Sequence, residues 1–139
     1  MSKKYTQAGL GKLYFSKYLG VEFKEFREGY TRCELAVRPE LLNRLGLVHG
    51  GVTYSLADTS MGGAVFSLLH DDQHCVAMEV KANYLRPVTG GRLVAEARVV
   101  HSGQRVAVAT CEVRDGQGNL IAVATGSFYM ALPGFPWVG

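Results

Sequence analysis

The sequence predicts an α+β fold in which one antiparallel β-sheet wraps around one long central helix. Two patterns carry this prediction. The stretch from Leu45 to Leu69 is uncharged except for Asp58 and is apolar enough to form a buried helix. From Val76 to Ala131 the apolar residues instead alternate with polar ones, which is typical of half-buried strands.

The chain begins with a short amphipathic segment over residues 10–18, which ends at Gly20. Two strand-like runs, 21–26 and 30–38, flank a turn at 28–29, and this arrangement predicts a hairpin. The hairpin supplies the first part of the predicted sheet.

Pro39 stops the second strand, and a loop over residues 40–48 leads to the helix, which begins near Gly51. Four strands follow the helix, and they are predicted over 76–84, 92–101, 105–114 and 120–131. Short glycine-containing links at 102–103 and 115–118 join the last three strands as antiparallel hairpins.

Length and composition limit the class of protein. The 139 residues fit a single domain over 1–139, of which 47% are hydrophobic and 19% charged. The net charge of +3 is not gathered in a basic run, so nucleic acid is not an expected partner. The apolar stretch holds too many polar residues and glycines for a membrane span, and the first lysines precede no signal-peptide-like run. Cys33, Cys75 and Cys111 show no CxxC spacing, which indicates reduced thiols and a cytoplasmic location.

The outward faces of the predicted strands predict a homo-oligomer. Their apolar residues are Val94, Val100, Val106, Val108, Ile121 and Val123. A small domain with apolar side chains on both sheet faces is expected to bury one face against another subunit. Gly62 and Gly63 point the same way, because glycine inside a helix is best tolerated where backbones pack closely. We therefore expect at least a dimer.

Asp58 is the residue that most needs a chemical explanation. A buried carboxylate without a cationic partner is costly unless it is hydrogen-bonded or used in chemistry. Gly50 and Gly51 begin a helix whose free N–H groups can bind a carbonyl oxygen that gains negative charge. Such donors stabilise a tetrahedral intermediate, and a carboxylate can activate water or attack directly. Together they form a minimal hydrolytic site that requires no metal.

Structural roles remain open for each of these residues. Asp58 would be a helix N-cap if the helix began only at Thr59. The Gly50–Gly51 pair would also suit a plain turn. His49 is expected more often to hydrogen-bond its loop than to act as a general base, and Asn43 to satisfy its own turn.

Other motifs are weaker evidence for a function. The polar run 70–74 has metal-like content, but its place between helix and strand favours a solvated turn, so no metal site is expected. The sequence contains no serine elbow, Walker loop or GxGxxG. Basic and small residues at or beside strand ends could bind the phosphates of a nucleotide-tailed substrate. They are Arg86, Arg92, Ser102, Gly103 and Arg105.

Two segments resemble the hotdog-fold acyl-CoA thioesterases of the PaaI-like, phenylacetate-pathway type. They are NRLGLVHGGVTYSLADTSMGGA at 43–64, where HGG is followed by LAD, and EVKANYLRP at 79–87. The resemblance covers most of the chain, because a hotdog domain has the same order of strands, one wrapped helix and four strands. It implies hydrolysis of an acyl-CoA to a free acid and CoA. No cofactor is implied, since coenzyme A is part of the substrate.

The resemblance also implies residue roles. Asp58 matches the acidic helix residue that serves as general base or nucleophile. Gly51, with Gly50 beside it, matches the helix-entry glycines whose backbone N–H polarises the thioester carbonyl. His49 and Asn43 match loop residues that position the carbonyl or the water. In the family the site lies across a dimer with two helices side by side, so Asp58 would work with the partner's glycine turn. Tetramers of such dimers are common.

Substrate contacts are implied by region. Arg86 and Arg105 fall where the family holds the coenzyme A phosphates. The acyl pocket is expected from Leu56, Met61, Phe66, Tyr84 and Leu85. One position departs from the family pattern, because Ala77 stands where many relatives have a Ser or Thr that helps to hold the water. Asn43, His49 or a residue elsewhere then has to hold the water instead.

Two other functions remain open. A hotdog hydratase or dehydratase acting on enoyl or hydroxyacyl thioesters would need His49 as acid or base, whereas its place before two glycines suits a loop role. A non-catalytic acyl-CoA binding module would use Asp58 only as a cap, and the cost of burying its charge argues against this. An apolar pocket discriminates weakly between acyl groups, so aryl and medium-chain substrates are both compatible.

Overall fold

The computed structural model of the chain describes residues 12–70, 72–132 and 134. Its elements are α1 (Tyr14–Leu19), β1 (Glu22–Arg27), β2 (Tyr30–Ala36), a 3-10 helix (Pro39–Leu41), α2 (Gly50–Phe66), β3 (His74–Tyr84), β4 (Arg92–Ser102), β5 (Val106–Asp115) and β6 (Leu120–Ala131). The predicted helices and strands are confirmed, with boundaries that differ by a few residues. Residues 1–11, where the sequence analysis expects no signal peptide, lie outside the described part.

The described strands form one six-stranded antiparallel sheet in the order β1-β2-β4-β5-β6-β3. β4, β5 and β6 are joined as the predicted hairpins. β3, which follows α2, pairs with β6 and forms one edge of the sheet. One sheet around one main helix confirms the predicted α+β architecture.

The core lies between the inner face of the sheet and α2. Side chains exposed by 1% or less come from both sides, namely Leu35, Leu93 and Val113 from the strands and Leu56, Met61 and Val65 from α2. Ala95, Ala97, Ala107 and Ala109 are also fully buried on β4 and β5, where their small size lets the helix approach the sheet. Leu56 and Met61 are therefore core residues, and the prediction that they line an acyl pocket is wrong.

β3 departs from its predicted alternation. Its pairing with β6 is interrupted by a bulge between Ala77 and Glu79. A bulge inserts one extra residue and shifts the alternation of faces. Val76 consequently points to the opposite face from Val80, although the sequence pattern predicts one shared face for positions 76, 78, 80, 82 and 84.

The outer face of β1, β2 and β4 is charged rather than apolar. Its ion pairs, hydrogen bonds and cation–π contacts join Glu25, Arg27, Tyr30, Arg32, Glu34, Arg92, Glu96 and Arg98. The predicted apolar excess therefore fails for this part of the sheet, and Ile121, only 3% exposed, belongs to the core. Exposed apolar side chains lie near the end of β4, where the predicted outward residue Val100 is 60% exposed, and along the β3 edge, where Val76 is 38% and Met78 53% exposed.

Two further features bear on the class of site. In the described part of the chain, no helix is long and apolar enough to cross a bilayer. All three cysteines are free thiols. Burial raises the pKa of Cys33 to about 11 and that of Cys111 to about 12, so both thiols stay protonated at neutral pH and neither is a reactive nucleophile.

Candidate functional site

Helix α2 begins at Gly50, and His49 is its N-cap. Nδ1 of His49 accepts a 2.8 Å hydrogen bond from the N–H of Gly51. The N–H of Gly50 has no hydrogen-bond partner within residues 12–70, 72–132 and 134. Gly50 thus presents the unoccupied donor, whereas Gly51 can bind a substrate oxygen only after the imidazole turns away. Asp58 lies in the middle of the helix, so its alternative role as an N-cap before Thr59 is wrong.

Tyr84, at the end of β3, holds the first turn of α2. Its hydroxyl donates a 2.9 Å hydrogen bond to the carbonyl oxygen of Gly50. A methyl group at Gly50 would lie 3.3 Å from Cζ and 3.4 Å from the hydroxyl of Tyr84, so glycine fits this close approach best. The carbonyl that Tyr84 binds and the N–H that His49 binds belong to one peptide group. Tyr84, this peptide and His49 therefore form one continuous chain of hydrogen bonds.

A cavity of about 310 Å³ opens beside this turn. Its polar lining comes from Asn43, Gly50, Thr53, Tyr84 and Arg86, and the rest is apolar: Leu47, Val48, Leu85, Pro87, Val88 and Ile121. Oδ1 of Asn43 accepts hydrogen bonds from the N–H groups of residues 45 and 47 at 2.9 and 3.2 Å, which confirms that Asn43 satisfies its own turn. Its Nδ2 makes no hydrogen bond within the described part and is left for a ligand.

Asp58 lies eight residues beyond Gly50, and its side chain is half-buried. Burial raises the pKa of this carboxyl above its ordinary value. No hydrogen bond or ion pair reaches the carboxylate from the residues that the structure describes. A desolvated carboxylate left without a partner is a typical feature of a functional site.

A single chain does not bring Asp58 and Gly50 together. Eight residues of α-helix separate two positions by about 12 Å along the axis and by about 80° around it. The N–H that donates to the substrate carbonyl oxygen and the general base each have to lie within about 3 Å of the atoms on which they act. The two groups therefore cannot act on the same thioester from one copy of α2.

The predicted substrate-binding residues divide between two ends of the sheet. Tyr84 and Arg86 line the cavity at Gly50. The others lie in or beside the exposed β4–β5 turn, and they are Ser102, Gly103 and Arg105. The turn is level with Val76 near the start of β3, about 26 Å along the strand from Tyr84. In one chain this turn is remote from Gly50.

Tyr54 is a site residue that the sequence analysis missed. It lies four residues after Gly50 and four before Asp58, so it faces the same side of α2 as both. Its hydroxyl donates a 3.2 Å hydrogen bond to the carbonyl oxygen of Val80 in β3. Tyr54 thereby ties this side of α2 to the edge strand. The regular four-residue spacing was the signal in the sequence that could have identified it.

In the polar run 70–74, the backbone and side chain of Gln73 hydrogen-bond the backbone of His70, and His74 begins β3. Asp71 lies outside the described residues. Within the part of the chain that is described, no group of three or more His, Cys, Asp or Glu side chains is placed to hold a metal ion.

Comparison with known proteins places these features in a family. Residues 45–122 match the family model of the thioesterase superfamily, a range that contains both Gly50 and Asp58. A protein of Archaeoglobus fulgidus named as a candidate esterase is 36% identical over 119 residues, which are 85% of this chain and 75% of that protein.

Two solved structures have the same fold over nearly the whole length. The E. coli PaaI protein from the phenylacetic acid degradation operon is 27% identical, with a TM-score of 0.85 over 94% of this chain and 93% of that one. A Haemophilus influenzae thioesterase is 25% identical, with a TM-score of 0.85 over 92% of this chain and 90% of that one.

Proposed function

Because the chain belongs to the thioesterase superfamily and has its hotdog fold, we propose that it hydrolyses acyl-CoA thioesters to a free acid and CoA at Gly50 and Asp58. One observation supports this most directly. An N–H without a partner begins the same helix that carries a carboxylate without a partner, within the described residues. Thioester hydrolysis needs a donor for the carbonyl oxygen and a base or nucleophile, and these groups supply both.

The proposed reaction proceeds through a tetrahedral intermediate. The N–H of Gly50 donates to the thioester carbonyl oxygen and binds it more strongly as negative charge develops. Nδ2 of Asn43 supplies a second donor. Asp58 accepts a proton from water as the water oxygen bonds to the carbonyl carbon. The C–S bond then breaks, and Asp58 returns the proton to the sulfur of CoA.

The separation of Gly50 and Asp58 supports a site shared by two chains. In a twofold dimer, residue i of one chain faces residue j of its partner, and the reverse also holds. Suppose that two α2 helices lie side by side and antiparallel, with the axis passing at Tyr54. Gly50 of each chain then faces Asp58 of the other, and the dimer has two equal sites.

The edge strand β3 offers a surface for this dimer. It is eleven residues long, has no neighbour on its outer side in the described sheet, and exposes Val76 and Met78. A long exposed edge of this kind tends to pair with another strand. Since Tyr54 joins α2 to Val80 of β3, pairing through β3 also brings the two helices together. We also propose that two such dimers assemble into a tetramer and that the protein is cytoplasmic.

The cavity at Gly50 supports a role in holding the CoA portion of the substrate. Arg86 lines it and can pair with CoA phosphates. Ser102, Gly103 and Arg105 can contribute only from another chain, because they lie at the far end of their own sheet. We propose an aryl or medium-chain acyl group, and the likeness to the E. coli PaaI protein from the phenylacetic acid degradation operon supports testing phenylacetyl-CoA and its ring-hydroxylated forms first. No separate cofactor takes part, since CoA is itself part of the substrate.

Thiol release from a panel of acyl-CoAs tests this proposal. Asp58→Asn keeps the shape of the side chain but cannot accept the proton, so kcat/KM is expected to fall by at least ~10²-fold. Asp72→Asn is the matched control, because Asp72 is exposed and lies outside the site. Equal rates for wild type and Asp58→Asn would contradict the proposal. Single turnover in ¹⁸O-water separates the two roles of Asp58, since the carboxylate acquires label only if it attacks directly.

The hydratase alternative is less well supported by the geometry. It needs the His49 side chain as an acid or base at the substrate, but Nδ1 of His49 already caps α2 through Gly51. Hydration of enoyl-CoA, measured by loss of the conjugated double bond, is the result that would favour that alternative.

A further inference from the structure

The two peptide groups on either side of Gly50 are held by hydrogen bonds from three directions. In the peptide that joins His49 to Gly50, the carbonyl oxygen accepts a 2.9 Å hydrogen bond from the N–H of Val52. In the peptide that joins Gly50 to Gly51, the carbonyl oxygen accepts from the hydroxyl of Tyr84 at 2.9 Å, and the N–H donates to Nδ1 of His49 at 2.8 Å. Of the polar atoms in these two peptides, the N–H of Gly50 is the one without a partner among the described residues. Its direction is therefore set by bonds that its neighbours make.

Glycine at position 50 has two opposite effects on this turn. A methyl group there would lie 3.3 Å from Cζ of Tyr84, so glycine is what lets the tyrosine approach closely enough to bind the backbone. Glycine also leaves the backbone more conformational freedom than any other residue, at the end of a helix where the N–H groups have no helical partner. A contact from outside the helix offsets this freedom, and Tyr84 provides it.

Tyr84 itself is carried by a well-anchored part of the sheet. It pairs with Ala122 of β6, which is an interior strand. The N–H groups of the two residues that follow it both donate to the carbonyl oxygen of Ile121, at 2.8 and 3.2 Å. The hydrogen bond from Tyr84 therefore fixes the first turn of α2 relative to the sheet.

The hydroxyl of Tyr84 is not free to donate to a substrate. A phenol has one O–H proton, and this proton is given to the carbonyl oxygen of Gly50. Burial raises the pKa of the Tyr84 hydroxyl above its ordinary value, and the neighbouring Tyr54 adds to this, so the hydroxyl remains a donor at neutral pH. The Tyr84 side chain is also exposed, at 53%, so removal of the hydroxyl alone leaves the packing of the core intact.

We propose that Tyr84 is a positioning residue, whose hydroxyl holds the N–H of Gly50 in the direction that the developing oxyanion requires. The inference rests on the proposed hydrolysis. A donor that is fixed in advance costs no reorganisation as negative charge develops, so the hydroxyl favours the transition state more than the bound substrate. Its loss is therefore expected to lower kcat and to leave KM nearly unchanged.

Tyr84→Phe tests this inference, because it removes the hydroxyl and keeps the ring. We expect kcat for the preferred acyl-CoA to fall ~10–10²-fold, since a small misplacement of a reacting group can cost that much. Tyr30→Phe is the matched control and is expected to keep both constants, because its hydroxyl binds Glu96 at 2.6 Å on the outer face of the sheet. A Tyr84→Phe enzyme with wild-type kcat, or with a change in KM alone, would overturn the inference.

Backbone order parameters of the free protein distinguish positioning from contact with the substrate. In Tyr84→Phe, we expect the N–H order parameters of Gly50 and Gly51 to fall from the rigid value of about 0.85 towards the flexible range below about 0.6. Tyr30→Phe is expected to keep the wild-type values. A hydroxyl that acted only on the substrate would leave the order parameters unchanged, and that result also overturns the positioning role.

A non-hydrolysable mimic of the oxyanion extends the test to a protein that turns over no acyl-CoA. A CoA thioether that ends in a trifluoromethyl ketone forms a tetrahedral hydrate, and calorimetry compares its affinity with that of S-propyl-CoA. A preference for the ketone in wild type and Tyr30→Phe that is lost in Tyr84→Phe supports the inference even if the proposed hydrolysis fails. Loss of hydrolysis in Asp58→Asn, with wild-type kcat and an unchanged ketone preference in Tyr84→Phe, would leave the proposed function standing and overturn the role of Tyr84.

Discussion

The first turn of α2 and the middle of the same helix carry the two halves of the proposed site, and one chain completes them to different degrees. At the first turn, Tyr84 binds the carbonyl of Gly50 and His49 binds the N–H of Gly51, so the geometry of the turn is held by its own chain. In the middle, Asp58 is half-buried and receives no hydrogen bond from the described residues.

This difference indicates what each half needs for its chemistry. An oxyanion donor works best when it is rigid before the substrate arrives, because its dipole then costs no reorganisation during the reaction. A carboxylate that accepts a proton from water has to be free to bind that water. Hydrogen bonds within one chain can therefore complete the donor, whereas in the proposed site the carboxylate takes its partners from the substrate, water and a second chain.

Removal of the Gly50 donor is the strongest way to break the first half. Gly50→Pro deletes the N–H, and the backbone can accept proline because Gly50 is the first helical residue and His49 before it has φ −61° and ψ 135°. We expect a loss of about 10²–10³ in kcat, the usual cost of one oxyanion donor. Steady-state hydrolysis of the preferred acyl-CoA measures it.

Gly50→Ala is the control for that variant, since it places the same Cβ against Tyr84 but keeps the N–H. Equal losses in the two variants would assign the effect to crowding by Tyr84. Full activity of Gly50→Pro would return the donor role to Gly51, with the His49 side chain turned away.

Mixing two inactive variants tests whether the halves act across a dimer. Gly50→Pro and Asp58→Asn chains are unfolded together and refolded in equal amounts, so that about half of the dimers are mixed. Each mixed dimer has one site with both the Gly50 donor and Asp58, which restores about a quarter of wild-type activity. Thiol release before and after mixing measures the recovery.

The matching control mixes Gly50→Pro with the double variant Gly50→Pro/Asp58→Asn, which can form no intact site. Recovery in the first mixture alone supports the shared site. No recovery, with mixed dimers shown by mass spectrometry, would assign both halves to one chain.

The β3 edge offers a third way to test the comparison, because the proposed dimer supplies the partner groups of Asp58. Met78→Lys places a charge at an exposed position of this edge. We expect a shift from dimer to monomer in light scattering and a parallel loss of hydrolysis. Val100→Lys, at a 60% exposed position of the interior strand β4, is expected to keep both. A Met78→Lys protein that remains fully dimeric would place the interface elsewhere.

Most of the fold could be predicted from local patterns. Alternation over 92–101 and 120–131 predicted β4 and β6 within a residue, because a strand with one buried face must alternate. The bulge between Ala77 and Glu79 could not be predicted, since it depends on how β3 pairs with β6. The position of β3 at the sheet edge is also non-local.

The candidate site was less predictable, for a physical reason. Spacing identified Gly50 and Asp58 but not which N–H is free, because His49 takes the N-cap place that Ser, Thr, Asp or Asn usually holds. Nothing in the sequence near Tyr84 shows that its hydroxyl reaches Gly50, since 34 residues separate them. Contacts between distant segments decide these points, and sequence periodicity does not report them.

The smallest expected effect is on thermal stability as a function of pH. This measurement distinguishes Asp58 from a carboxyl group that stabilises the fold. Burial raises the pKa of Asp58 in the folded protein, so the folded state favours the protonated carboxyl group. The charged form therefore lowers the free energy of unfolding. That cost is absent below the unfolded pKa of about 3.9, grows as pH rises towards the folded pKa, and is complete above the folded pKa. Asp58→Asn carries no charge at any pH. Its Tm is therefore expected to exceed that of wild type at pH 7, by a margin that shrinks as pH falls towards 4.

Asp115 provides the opposite case within the same chain. Hydrogen bonds from Asn119 and Gln117 lower the pKa of its carboxyl, so its charged form stabilises the fold above the unfolded pKa, and this contribution is lost as pH falls. Asp115→Asn is expected to lower the Tm at pH 7. Shifts of opposite sign at the two positions would show that Asp115 serves the fold, whereas Asp58 is kept at a cost in stability, as expected of a group retained for reaction. A lower Tm for Asp58→Asn at pH 7 would mean that the Asp58 carboxylate has a stabilising partner. Asp58 would then not differ from the first turn of α2, whose groups are held by hydrogen bonds.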